Sequence, residues 1–204
     1  ATAIFALSLA SGSLPLTPGE IVQSFGAQQP SIARDVVLEL RLPRALSAFA
    51  VGGLLALAGA MLQVLLRNSL ADPYVLGVSG GASVLALLAI MAGLPAVGVD
   101  GAAALGAFGA CLLVFALAQG PGGWTPTRLL LTGVVVAAGA GSVVSLLLAL
   151  SDDTALRGMV FWLLGDLSRT ERWEWLLSLL LVATVTGALL GRHLNVLARG
   201  VTQA

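Results

Sequence analysis

Residues 77–81 read Gly-Val-Ser-Gly-Gly, the G-x-S-x-G pattern of a nucleophile elbow. The elbow makes a serine reactive by lifting its hydroxyl off a sharp strand-to-helix turn, within reach of a histidine that takes the proton. Here the five residues open an apolar run of helical length, so the strand is missing. The one histidine, His193, follows Arg192 at the end of another apolar run, where it faces headgroups or water and not Ser79. Close helix packing explains the glycines better. Counting removes further chemistry. One cysteine, Cys111, and one histidine make neither an intrachain disulfide nor a four-ligand zinc site. All ten basic residues are arginine, which removes the lysine of a phosphate-binding loop and that of a Schiff base. No metal, no cofactor and no catalysis by this chain are expected.

Two other stretches carry polar groups with binding potential. Arg41-Leu42-Pro43-Arg44 precedes an apolar run, and a proline is at ease in the first turn of a helix. Two cations there oppose the helix dipole by a few tenths of a kcal/mol each. Either Asp35 and Glu39 neutralise them locally, or the guanidinium groups await carboxylates on a partner, which suit their bidentate geometry. The second stretch is Arg67-Asn68-Ser69-Leu70-Ala71-Asp72-Pro73. Asn68 suits the left-handed residue that ends a helix, and Asp72 before Pro73 suits the cap that starts the next. A tight, well-capped membrane hairpin accounts for all seven.

The elements that hold these residues follow from composition. Apolar side chains make up 58% of the 204 residues and charged ones 10%, against about 25% charged in soluble domains. Mean hydropathy is +0.99. This is an integral membrane protein, and its zero net charge gives no reason to expect nucleic acid. A crossing needs about 20 apolar residues. Such runs lie at 1–16 (shorter, as if its start were missing), 45–66, 74–94, 101–118, 128–150 and 173–191. The expected fold is therefore all-α, a polytopic transmembrane bundle of six spans. Interfacial helices are expected at 31–42 and 155–165, the second placing Trp162 at headgroup depth. Small residues recur every four positions at Gly52, Ala56 and Ala60, at Ala102, Gly106 and Ala110, and at Gly133, Ala137 and Gly141. That spacing lets helix backbones approach closely where lipid removes the hydrophobic drive. Arginines do not orient the chain. With the N-terminus inside, Arg34, Arg41, Arg44, Arg157, Arg169 and Arg172 fall outside and Arg67, Arg128, Arg192 and Arg199 inside.

The order of these segments resembles the FecCD-type permeases, the membrane subunits of bacterial ABC importers for ferric siderophores, haem and cobalamin. The resemblance is strongest over residues 41–83: Arg-Leu-Pro-Arg, then Val51-Gly52 through Ala58-Gly59-Ala60-Met61-Leu62-Gln63. Arg67-Asn68, Leu70-Ala71-Asp72-Pro73, Leu76-Gly77-Val78-Ser79 and Gly81-Ala82 follow. It continues in Arg128-Leu129-Leu130-Leu131 with Gly133, in Phe161-Trp162-Leu163-Leu164-Gly165, and in Leu194-Asn195 with Leu197. Two positions depart from the pattern. Ser69 stands where the family usually has proline, and Pro126 where at least some relatives carry a polar residue.

The resemblance implies a multi-pass chain of a bacterial inner membrane, corresponding to the first six of about ten helices. It implies several partners: an ATP-binding cassette ATPase that hydrolyses the ATP, an extracytoplasmic substrate-binding protein, a second permease subunit and the lipid bilayer. Arg41 and Arg44 then match the arginines that meet acidic residues of the binding protein. Thr125, Pro126, Thr127 and Arg128 match the cytoplasmic gate region, and Arg199 the approach to the ATPase. A ferric siderophore is the expected cargo, with haem or cobalamin as the other choices. Two rival readings use the same residues. An ion-coupled secondary transporter would place ionisable groups mid-span, and the runs 45–66, 74–94 and 101–118 hold none. An intramembrane serine protease would use Ser79, whose Gly-x-Ser-Gly setting also resembles that of rhomboid-type proteases.

Overall fold

A computed structural model describes residues 2–26, 31–69, 71–120, 123–165, 167 and 173–199, with backbone only for 2–3 and 192–199. Every regular element among them is helical. The chain divides into two compact units, Ala1–Leu57 with Asp166–Leu190 and Ala58–Gly165 with Gly191–Ala204.

The first unit begins with α1 (Thr2–Ala10) and α2 (Pro18–Gly26). A capping box opens α2. The Glu20 carboxylate accepts from the Thr17 N–H at 2.7 Å and the Thr17 hydroxyl at 2.8 Å, while the Glu20 N–H donates to Thr17 Oγ1 at 3.4 Å. The backbone N–H, then the hydroxyl, holds the Glu20 carboxyl below its ordinary pKa. Ser31 caps α3 (Ile32–Asp35) by accepting from the Arg34 N–H at 3.2 Å. Residues Val36–Arg41 then wind as a π-turn, in which the Leu42 N–H reaches back five residues to the Val37 carbonyl. Helix α4 (Leu42–Leu66) follows without a break, so Ile32–Leu66 is one helix of 35 residues. The expected interfacial helix at 31–42 is thus the first part of a span. Pro43 sits inside this helix, where it lacks an N–H and its ring crowds the carbonyl four residues back. The wider π winding just upstream relieves that crowding. Within this unit Gly53 of α4 faces α9 (Trp173–Arg199): a Cβ there would lie 2.8 Å from Leu180 Cδ1.

The second unit starts at the C-terminal half of α4, which closes in a Schellman motif. The Asn68 N–H donates to the Gln63 carbonyl at 3.1 Å and the Arg67 N–H to that of Val64 at 3.2 Å. The left-handed residue is Arg67, with φ 49°, and not the expected Asn68. The bond from Asn68 to Gln63 makes Asn68 the second residue past the helix, and Arg67 takes the strained conformation whatever its type. Asp72 caps as expected, accepting from the Tyr74 N–H at 2.9 Å to begin a 3₁₀ turn, Pro73–Leu76. Gly77, at φ 69°, joins that turn to α5 (Val78–Met91).

Helices α5, α6 (Ala96–Ala118) and α7 (Pro126–Leu150) pack with their backbones almost touching. A Cβ on Gly81 would collide with the Gly106 carbonyl and one on Gly106 with that of Gly81; a Cβ on Gly133 would collide with the Val75 carbonyl. A Cβ on Gly80 would lie 2.7 Å from that of Ala140. The pairings fix direction. Gly81 lies against Gly106 and Ala110 while Leu85, one turn further along α5, lies against Gly106; Leu76 shares an apolar cluster with Val114 and Ala118, and Ala86 and Ala89 share one with Val99, so α5 and α6 are antiparallel. Along α7, Gly133, Ala137 and Ala140 meet Val75, Gly77 and Gly80 in rising order, so α5 and α7 run parallel. Helix α8 (Asp153–Leu164) packs back on α5. Met159 is buried with Leu87 and Leu147, and Trp162 lies against both apolar clusters of this end. The expected helix at 155–165 is present, with its tryptophan packed on the bundle.

Among the described residues, four helices are long and apolar enough to cross a membrane: Ile32–Leu66, Ala96–Ala118, Pro126–Leu150 and Trp173–Gly191. Of the six expected spans, the run at 1–16 contains the nine-residue α1 and that at 74–94 the fourteen-residue α5.

Candidate docking and gate residues

Arg41 and Arg44 do not sit at a helix N-terminus, because the helix that carries them starts at Ile32. The dipole argument for a compensating partner therefore lapses. The Arg41 guanidinium, partly buried, donates to the carbonyls of Leu9 at 2.7 Å, Ala10 at 3.2 Å and Leu14. These acceptors, and neither Asp35 nor Glu39, satisfy it. Arg44, one turn further on, is exposed.

The residues 125–128 form the first turn of α7. Thr125 is its cap, accepting from the Arg128 N–H at 3.3 Å, and Pro126 takes the first position, where a missing N–H costs nothing. Capping explains Thr125 and Pro126 without a further role. Thr127 and Arg128 are exposed. A Cβ on Gly120 would collide with the Arg128 guanidinium, so the arginine lies over the connector backbone just past α6.

Trp124 completes this corner. Its indole N–H donates to the Phe115 carbonyl at 2.8 Å, and its ring meets that of Phe115 edge-to-face at 6.1 Å. Phe115 lies in the last turn of α6, whose carbonyls lack partners within the helix. The tryptophan thus caps α6 while Thr125 caps α7, although its side chain is 57% exposed. Sequence reasoning passed over Trp124. Its signal was an indole next to a helix cap in a Gly- and Pro-bearing connector, where a polar tip finds a free carbonyl.

Ser79 is exposed in the first turn of α5, and no strand precedes it among the described residues. The elbow geometry is absent. The side chains of His193 and Arg199 and the whole of Arg169 and Arg172 lie outside the described residues. Arg41 and Arg44 belong to the first unit and Thr125–Arg128 to the second.

A family model described as the FecCD transport family matches residues 1–204. The chain belongs to the FecCD transport family. Among relatives, it is 42% identical over 176 residues to the vitamin B12 import system permease protein BtuC of Vibrio cholerae, an overlap of 84% of this chain and 53% of that one. It is 38% identical over 204 residues to the ferric enterobactin transport system permease protein FepD of Escherichia coli, covering 96% of this chain and 60% of the relative. A solved structure described as an inward-facing conformation of a putative metal-chelate type ABC transporter matches all of this chain and 62% of its own, with TM-score 0.79 and 30% identity. The FecCD chain spans about half the length of the curated relatives it matches. It is a multi-pass membrane protein, as its long apolar helices require.

Proposed function

We propose that this FecCD chain forms part of the permease of an ABC importer for an iron chelate. The family match across residues 1–204 carries the reading. In this reading a separate ATPase supplies the energy, a binding protein delivers the cargo to the Arg41–Arg44 region of the long helix, and a second permease subunit completes the pathway. The α6–α7 corner, with Thr127 and Arg128 exposed, lies at the cytoplasmic gate, and Arg199 approaches the ATPase. The relatives' names bear on the cargo in two directions, one being a vitamin B12 permease and another a ferric enterobactin permease. A ferric siderophore is our choice.

Reconstitution tests it. These residues, set in a chain of the relatives' full length, are combined with ATPase and binding protein in proteoliposomes and offered ferric siderophore, haem or cobalamin. ATP-dependent accumulation of the siderophore is expected. Cobalamin accumulation instead would overturn the cargo but keep the class, and no ATP-dependent uptake of any of the three would overturn the importer.

A further inference from the structure

We infer that α2 is an interfacial helix: it lays Pro18, Val22 and Phe25 into the lipid headgroup boundary beside the long helix, and apolar contact rather than attraction to anionic lipid holds it there. Such a seat needs only a membrane, so it stands apart from the importer reading.

Helix α2 has three sides. At about 100° per residue, Ile21 and Ser24 share one, Pro18, Val22 and Phe25 the next, and Glu20 and Gln23 the side opposite that stripe. The first side packs on protein. Ser24 is buried and Ile21 half-buried, and α2 lies against α3 and the Val36–Arg41 turn. The second is apolar and open, with Val22 72% and Phe25 55% exposed. The third is polar and exposed. An apolar stripe opposite a polar one, with protein along the edge between them, suits a helix lying in the plane of the membrane. The long helix sets the depth. Every charged residue of Ile32–Leu66 precedes Ala45, and Ala45–Leu66 is about 33 Å long, matching about 30 Å of hydrocarbon. Hydrocarbon therefore ends near Ala45. The Val36–Arg41 turn against which α2 packs lies about 6–14 Å beyond that edge, among the headgroups. At that depth the occupant of an exposed apolar stripe is lipid. Charge decides the kind of contact. Glu20 is the one ionisable side chain of α2, which carries no basic residue, so burial of the stripe holds the helix and phosphate attraction does not.

Spin labels on a cysteine-free chain of the relatives' full length, in nanodiscs of phosphatidylethanolamine and phosphatidylglycerol, test the seat. Nitroxides placed singly at Val22→Cys, Phe25→Cys and Gln23→Cys are compared for collision with molecular oxygen, which concentrates in lipid, and with a water-soluble nickel chelate. The ratio of oxygen to nickel collision at positions 22 and 25 should exceed that at 23 several-fold. The same contrast is expected in phosphatidylcholine alone and at high salt. Nickel collision at 22 and 25 equal to that at 23 would put the stripe in water and overturn the seat. Exclusion of both reagents from 22 and 25 would mean that a protein surface covers the stripe, which overturns it equally. Loss of the contrast in phosphatidylcholine would assign the contact to lipid charge and overturn its apolar basis.

Discussion

Gly81 and Gly106 each block a Cβ on the other, because each backbone carbonyl occupies the space a side chain would need. Neither neighbour is a flexible side-chain end, so the helices must part to admit a methyl group. Gly106→Ala should therefore destabilise the bundle by about 1–3 kcal/mol, the usual range for overpacking a tight contact. Gly109 lies on the same helix with nothing within 4 Å of its virtual Cβ. Gly109→Ala should be neutral or slightly stabilising through helix propensity. Unfolding of the two variants in mixed micelles would measure both, and equal effects would mean that the glycine contact carries no special packing. The sequence pattern pointed to this contact through Ala102, Gly106 and Ala110, and to Gly133 and Ala137 on α7. It also pointed to Gly52 and Gly141, which have open space around them, while the adjacent Gly53 meets Leu180. Four-residue spacing identifies a face, but adjacent glycines belong to different faces and only the partner helix selects one. Arg67 shows the same limit: residue preference favoured Asn68, and the hydrogen-bond register placed the left-handed turn one residue earlier.

Elements end where their backbone groups find other partners, and the α6–α7 corner shows how much of that was legible. The Thr125 cap and Pro126 at the first position follow rules that act within one turn. The bond from Trp124 to Phe115 spans nine residues and depends on how the connector folds, which no local rule supplies. Trp124→Phe keeps a ring against Phe115 and loses the donor, so it should cost about 0.5–1.5 kcal/mol. Trp124→Ala loses the edge-to-face contact as well and should cost more. Limited trypsinolysis after Arg128 reads the corner directly, with cleavage speeding up from wild type to Phe to Ala. Equal cleavage in all three would show that the caps on α7 hold the corner without the tryptophan. The π-turn before Pro43 was equally hidden. A proline reads as a boundary by local preference, and here the helix absorbs it by widening one turn.

For the whole molecule, the composition made a polytopic bundle legible, and the open question was the number of crossings. Helix α5, at fourteen residues, is about 21 Å long, short of about 30 Å of hydrocarbon. Length alone would deny it a crossing. The pairing with α7 says otherwise, because Val75 and Leu76 continue the path of α5 alongside Gly133. With the longer rise per residue of the 3₁₀ turn, about 2.0 Å, the two pieces together reach about 29 Å, enough to span. If so, α5, α6 and α7 cross in alternating directions. Single cysteines in a Cys111→Ser background test this through labelling by an impermeant reagent. Ser69→Cys and Gln119→Cys should be labelled from one side of the membrane, and Leu94→Cys and Asp153→Cys from the other. Labelling of Ser69→Cys and Leu94→Cys from the same side would show that Pro73–Leu76 and α5 enter the bilayer without crossing it. The antiparallel packing of α6 on α5 would then have to be satisfied by a re-entrant hairpin, which is tolerable only where protein or a water-filled pathway covers its backbone.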